Sequence, residues 1–114
     1  MTEALPEITD DYMRQRLTLA KPYTVVLLRK GPNPSPEGRD AIIWEHGRRN
    51  MALGAAGLMP LVFPVGNENL AGLGVFTGSE QEVRDIMDGD PAVRAGIFVY
   101  DAYPCRGFPG AALP

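Results

Sequence analysis

Apolar and polar positions along this chain follow two periods, and the segments they define occur in the order β-α-β-β-α-β. Runs of β-branched, aliphatic and aromatic residues predict four strands, at 23–29, 58–65, 70–76 and 97–103. Apolar residues at helical spacing predict two helices, at 39–56 and 79–89. Thr9 is typical of a helix N-cap and predicts a further short helix through Leu17.

Capping residues mark where the helices begin and end. Gly57 suits the left-handed position that follows the first long helix. Ser79, with Glu82 three residues later, has the pattern of a capping box for the second. Asp90 before Pro91 predicts a short helical restart, because aspartate caps a helix and proline is preset for its first turn.

Prolines and glycines constrain the strands. The first strand is almost continuously apolar, which predicts a central position in its sheet. Pro60 and Pro64 cannot donate to a ladder, so the second strand is expected at an edge or with a bulge. Residues 66–69 have the composition of a tight hairpin connection, and residues 30–38, with three prolines, predict a surface loop.

This order of elements predicts an α+β protein with a ferredoxin-like fold, in which two helices cover one face of a four-stranded antiparallel sheet. The division is a helical N-terminal extension at 1–21, the domain at 22–104 and a C-terminal tail at 105–114. Apolar residues also alternate onto the second face of the strands, which must then be covered. We expect a homodimer; the alternative is that the N-terminal helix covers this face within one chain.

Composition narrows the class of protein. With 114 residues, 45% of them hydrophobic, the chain has enough apolar surface for one core. A net charge of −3 without runs of like charge predicts neither a nucleic-acid partner nor an anionic membrane partner. The apolar segments are too short to cross a bilayer and the N-terminus resembles no secretory signal, so a cytoplasmic protein is expected. Cys105 is the single cysteine and is interpreted as an incidental thiol.

His46, the only histidine, is the first candidate for chemistry, because imidazole is the side chain best suited to moving protons near neutral pH. Helical phasing places it, with Asn50 one turn later, on the arc that faces the sheet. The alternative is a core histidine whose nitrogens are satisfied by Asn50 or by a backbone carbonyl. Asp90 is the second candidate: it could orient the imidazole as the other half of an acid–base dyad, or it could only cap a helix.

Four residues are candidates for substrate binding. Asn50 shares the arc of His46, and Trp44 lies on the same broad arc, where it could line an apolar pocket or belong to the core. Arg29, at a strand end, could bind a carboxylate or be solvated, and Ser79 is explained by capping alone. One histidine and one cysteine predict no transition-metal site, and no cofactor is expected.

Together, these motifs resemble the YCII-related (YciI-like) family over residues 23–104. The resemblance is carried, in order, by His46, Gly57-Leu58, Pro60, Ser79, Asp90-Pro91 and Ala95-Gly96. It implies a dimeric ferredoxin-like domain with a pocket centred on a His46/Asp90 pair. Some relatives are cofactor-independent enzymes that eliminate chloride from chlorinated hydroxyquinols, and muconolactone isomerases share the wider fold.

Two functions follow as expectations. In the first, His46 is the general acid or base of a cofactor-independent lyase or isomerase, oriented by Asp90 and acting on a small oxygenated organic substrate, aromatic or lactone-like. In the second, the same pocket belongs to a non-catalytic dimeric module that binds a small ligand or a partner. The separation of the His46 ring from the Asp90 carboxylate discriminates between them, because hydrogen-bond contact at the wall of an open cavity favours the dyad.

Overall fold

The computed structural model describes residues 4–114, so the first three residues of the predicted 1–21 extension lie outside the described part. The elements agree in kind and order with those that the sequence predicts. They are α1 (Asp10–Leu17), β1 (Lys21–Lys30), α2 (Arg39–Ala55), β2 (Leu61–Asn67), β3 (Leu70–Phe76), α3 (Glu80–Asp88), α4 (Pro91–Arg94) and β4 (Phe98–Gly107). None of the helices within residues 4–114 is long and apolar enough to cross a lipid bilayer.

The strands form one antiparallel sheet in the order β2-β3-β1-β4, which confirms the α+β class and the four-stranded sheet. The apolar β1 pairs with strands on both sides and is central, as predicted. The proline-containing β2 lies at an edge, and its pairing with β3 is irregular between Pro64 and Asn67. Proline is tolerated at both kinds of position because no ladder hydrogen bond is required there.

Two strand boundaries differ from the predicted ones by three residues or more. The last strand does not end at Tyr103: β4 continues to Gly107, paired along its whole length with β1. Pro104 is compatible with that pairing because β4 is the other edge strand. β2 begins at Leu61 rather than at residue 58, because the Leu58 and Met59 amides turn back to bond the Leu53 carbonyl at 3.0 and 3.2 Å.

The predicted helix ends are confirmed. Gly57 has φ 75° and follows the C-cap of α2, a left-handed position that favours glycine. Ser79 and Glu82 form a reciprocal capping box at the start of α3. Asp90 caps α4, and Pro91 occupies its first turn. Local signals therefore set the residue at which α4 starts.

The core lies between the sheet and the helices on one of its faces. It contains Val26, Leu28, Met59, Phe76, Val83, Met87 and Ala102. The two crossover helices contribute differently, since α3 buries Val83 and Met87 whereas α2 buries none of its residues. Helix α2 therefore covers its part of the sheet without filling the space beneath it.

The other face of the sheet is apolar and incompletely covered. Val25, Leu27 and Val75 point to this face and are half-buried, and Val99 is exposed. Ile97 lies just before β4 and is buried, and its carbonyl accepts a 2.7 Å hydrogen bond from the Gly31 amide. Helix α1 buries none of its own residues.

Candidate functional site

His46 and Asp90 are in direct contact, although 44 residues separate them in the chain. His46 lies in the middle of α2, and Asp90 is the N-cap of α4. The imidazole Nδ1 is 2.8 Å from Oδ1 and 2.9 Å from Oδ2 of the carboxylate. The two side chains are 14% and 1% exposed, so the pair is largely withdrawn from water. A dyad requires this contact, whereas a helix cap alone does not.

Several donors hold the Asp90 carboxylate. Its Oδ2 accepts hydrogen bonds from the backbone amides of Ala92 at 3.0 Å and Val93 at 3.1 Å. Burial alone would raise the pKa of Asp90, but the hydrogen bond and charge of His46 together with these two amides outweigh burial and lower it. Asp90 is therefore a carboxylate at neutral pH, and it only accepts hydrogen bonds.

The charge of Asp90 determines which nitrogen of His46 carries the proton. Because the carboxylate only accepts, the network assigns the proton of the neutral imidazole to Nδ1. Nε2 then carries a lone pair that can accept a hydrogen bond. The Asn50 Nδ2 lies 3.3 Å from Nε2 and donates to it in this tautomer. The predicted neighbourhood of His46 and Asn50, one turn apart on α2, is confirmed by this contact.

A cavity of about 290 Å³ lies beneath α2, against the helix-facing surface of the sheet. His46 and Asn50 line it from the helix. Most of its wall is apolar and includes Leu28, Ile43, Met59, Phe63, Phe76 and Phe98. Phe98 also packs against the imidazole, with ring centroids 5.4 Å apart and planes tilted by 53°. His46 thus stands at the wall of a cavity of the size that binds small molecules.

Part of the floor of the cavity is glycine backbone without side chains. Gly72 and Gly74 in β3 line it, at positions where their neighbours Leu28 and Val26 in β1 point toward the helices. A side chain at either position would occupy the space beneath α2. Two features of the sequence therefore produce the cavity. On one side, α2 has no buried residue, and on the other, two glycines lie on the same face of β3.

The other predicted site residues lie elsewhere. Arg29 is on the opposite face of the sheet, where Nε donates to Asp101 Oδ2 at 2.8 Å. Ser79 is exposed at the start of α3, and its hydroxyl accepts a hydrogen bond from the Glu82 amide at 3.2 Å, so capping engages it. Trp44 is 70% exposed and borders a groove on the outer side of α2. The structure brings together His46, Asn50 and Asp90, and it leaves Arg29, Ser79 and Trp44 outside their cavity.

Phe98 and the two floor glycines line the cavity without having been predicted as site residues. The signal for the glycines is their alternation in Gly72-Leu73-Gly74, which puts both on one face of a strand whose other residues are apolar. A dinucleotide-binding loop, the other interpretation of such a motif, requires a strand–turn–helix context that β3 lacks. Phe98 has no comparable signal, because an aromatic residue in a strand is usually part of a core.

The arrangement supplies the parts of an acid–base site. Nε2 of His46 can accept a proton, the buried carboxylate of Asp90 stabilises the imidazolium that results, and the Asn50 amide can donate a hydrogen bond beside it. Within the described residues, no group of three or more histidine, cysteine, aspartate or glutamate side chains is placed to hold a metal ion.

Comparison with known proteins adds no family to these observations. A scan against protein-family models finds no match, and a search of curated proteins finds none either. The functional assignment consequently rests on the chemistry of His46, Asn50 and Asp90.

Proposed function

We propose that this protein is a cofactor-independent acid–base enzyme of the lyase or isomerase type, acting on a small oxygenated organic molecule, aromatic or lactone-like. One observation carries the proposal: the buried Asp90 carboxylate holds Nδ1 of His46 at 2.8 Å, while the same imidazole lines a cavity of about 290 Å³. A histidine backed by a carboxylate and open to a cavity is the arrangement that proton transfer to a bound molecule requires.

The reaction begins with proton abstraction from a carbon next to a carbonyl group. Nε2 takes the proton, the electron pair of the broken C–H bond moves toward the carbonyl, and the negative charge gathers on its oxygen. Asn50 is placed to donate a hydrogen bond to that oxygen, and Asp90 stabilises the imidazolium. The imidazolium returns the proton to a different carbon in an isomerisation. In an elimination the electron pair instead forms a C=C bond as the leaving group departs with its bonding pair.

We further propose that the fold is ferredoxin-like and that the chain is related to the YCII family. Support comes from the strand order, which reads β4-β1-β3-β2 from the opposite edge, with α2 and α3 as the crossovers on one face. The motifs of the resemblance support the same relation, since His46 and Asp90 are the residues in contact.

A cytoplasmic homodimer is part of this proposal. The radius of gyration is 17.0 Å, whereas a compact chain of this length has about 13 Å. The uncovered face of the sheet and the exposed apolar side chains of α1, among them Tyr12, Met13 and Leu17, give a second copy apolar surface to bury. The free thiol of Cys105 is compatible with a reducing compartment. Light scattering at micromolar concentration measures the mass: a dimer supports this part, and a monomer contradicts it.

A non-catalytic ligand-binding module is the second candidate, and one contact favours it. Asn50 Nδ2 lies 3.3 Å from Nε2, so both nitrogens of His46 have partners without any ligand. A histidine satisfied on both sides can be a purely structural buried polar pair. For the enzyme, by contrast, the Asn50 amide must leave Nε2 for the substrate oxygen.

Hydrogen exchange in D₂O separates these two functions. A panel of lactones and hydroxylated aromatic ketones is incubated with the protein, and proton NMR follows the loss of C–H signals next to the carbonyl. We expect exchange with at least one compound and a decrease of about 100-fold or more in its rate in His46→Ala. Arg48→Ala, a position two residues along α2 and outside the cavity lining, is the matched control and retains the rate. Equal rates in His46→Ala and the unmodified protein would contradict the enzyme.

A further inference from the structure

The distribution of polarity within the cavity indicates the kind of molecule that fits it. Among residues 4–114, the polar side chains lining it are those of His46 and Asn50 alone, one turn apart on the same helix. The remaining wall is aliphatic, aromatic or bare glycine backbone. A ligand therefore has polar partners at one end only, and the rest of its surface is in contact with carbon.

The charged group in contact with that polar end is negative. Asp90 is 1% exposed and stands directly behind the imidazole, with both carboxylate oxygens within 2.9 Å of Nδ1. The Arg49 guanidinium lies beside Gly89, and Arg49 is not among the residues that line the cavity. An anionic group placed against His46 would lose its hydration and meet a second buried negative charge. A neutral oxygen is not subject to that repulsion.

The size of the ligand depends on the glycine floor. A Cβ at Gly72 would be 3.3 Å from the Phe63 carbonyl oxygen and 3.8 Å from the Leu28 side chain, so a methyl group fits after a small shift. A Cβ at Gly74 would come within 2.9 Å of the Met59 sulfur, which would have to move. Gly72 is thus the position where one methyl group changes the depth of the cavity with the least disturbance of its wall.

We infer that the cavity binds a compact, uncharged and largely apolar molecule, with one oxygen that accepts a hydrogen bond from the Asn50 amide beside His46, and that Gly72 sets the largest ring system it admits. The inference rests on the proposed function in taking this cavity as the ligand site, and it deepens that proposal by naming the ligand's charge and shape. It separates neutral lactones, enones and phenols from carboxylic acids of the same size.

A pair of probes with equal shape and different charge tests the first part. Benzamide is neutral and benzoate is an anion of nearly the same size, and calorimetry measures both dissociation constants in buffer of about pH 8, where a carboxylic acid is ionised. We expect benzamide to bind at least about tenfold more tightly than benzoate. Shifts of the Gly72 and Gly74 amide signals locate the bound probe. Equal or tighter binding of benzoate would overturn the inference, as would no binding of benzamide up to about 10 mM.

A second pair of probes with equal charge and different size tests the role of Gly72. We expect Gly72→Ala to weaken 2-naphthamide binding by about tenfold or more and to leave benzamide within about threefold. Gly66→Ala, in a strand position whose Cβ meets nothing within 4 Å, is the matched control and changes neither. If Gly72→Ala does not fold, Leu28→Phe adds bulk beside Gly72 from its partner position in β1, where the side chain lines the same cavity. Uniform weakening of both amides, in whichever variant folds, would refute the size limit.

The outcomes distinguish this inference from the proposed function. If benzamide binds as expected but no C–H exchange rate depends on His46, the ligand class is supported and the enzyme is contradicted. His46-dependent exchange on carboxylic acids, with tight benzoate binding, would support the enzyme and overturn the ligand class.

Discussion

The two crossover helices lie on the same face of the sheet but meet it differently. Helix α3 buries Val83 completely and Met87 almost completely, and the side chains beneath it form the core. Helix α2 has no buried residue, and its residues line one side of a cavity. The packed part of this interface provides stability, whereas the open part holds the acid–base residues over space for a ligand. Asp90, at the start of α4, connects them because it binds His46 of α2.

The largest effect on the free energy of unfolding is expected at Asp90, which connects these two parts. Asp90→Ala removes the cap of α4 and leaves Nδ1 of the partly buried His46 without its acceptor. The free energy of unfolding should fall by about 3 kcal/mol, the sum of a lost cap and an unpaired buried donor. Chemical denaturation measures it.

Asp90→Asn separates the cap from the charge. Asparagine caps helices as well as aspartate does, so this variant should recover about 1 kcal/mol of the stability lost in Asp90→Ala. It should not recover the proton-transfer rate, because an amide does not stabilise the imidazolium as a carboxylate does. If Asp90→Asn has the full rate, Asp90 only caps α4.

A pair of truncations compares the two helices directly. Val83→Ala, in the packed part, should cost about 2 kcal/mol because it leaves a void in a filled core. Ile43→Ala removes more atoms, but Ile43 is half-buried at the wall of an existing cavity, so its cost should be about 1 kcal/mol or less. Thermal and urea unfolding measure both changes. The reverse order of costs would show that α2 is packed as firmly as α3.

Lowering the pH should weaken the contact between His46 of α2 and Asp90 at the start of α4. The pKa of Asp90 is lower in the folded chain than in the unfolded chain. At pH values between these two pKa values, the folded chain therefore binds fewer protons than the unfolded chain. The stabilisation is complete above the ordinary aspartate pKa of about 4 and is lost as the pH falls through the lower folded value. Urea unfolding across this range should show a loss of stability that is smaller in Asp90→Asn. If the unmodified protein and Asp90→Asn lost the same amount of stability on acidification, Asp90 would not be its source.

The smallest effect concerns the helix that does not fill its interface. Gly54, in the last turns of α2, has no positive φ, and a Cβ there would meet only the Met59 carbonyl oxygen at an ordinary 3.6 Å. Gly54→Ala should therefore raise the free energy of unfolding by about 0.5–1 kcal/mol through helix propensity alone. The rate and the affinity for benzamide should not change, since Gly54 lies outside the cavity lining. A loss of stability would indicate that α2 is under steric constraint at this turn.

The features that the sequence predicted well are those with local causes. Gly57, the Ser79–Glu82 box and Asp90-Pro91 each act within a few residues, so the sequence alone located the ends of α2 and α3 and the restart at α4. It could not locate the continuation of β4 beyond Pro104, because that continuation depends on the strand lying at an edge of the sheet.

The candidate site was predictable in part for the same reason. The inward phase of His46 and Asn50 follows from helical periodicity. Trp44 lies two residues before His46, about 200° away around the helix, so a broad apolar arc assigned it to the wrong side of α2. The volume of the cavity also depends on the distance between α2 and the sheet, and no local sequence pattern determines that distance.

The state of the single histidine tests the central claim most directly. His46 is the only histidine of the chain, so long-range ¹H–¹⁵N NMR of uniformly labelled protein without an affinity tag reports its two ring nitrogens without assignment. We predict that, when the imidazole is neutral, the proton resides on Nδ1 against Asp90, and that benzamide shifts the Nε2 signal. A proton on Nε2, or an Nε2 signal that saturating benzamide leaves unmoved, would contradict the assignment of this nitrogen as the base of the site.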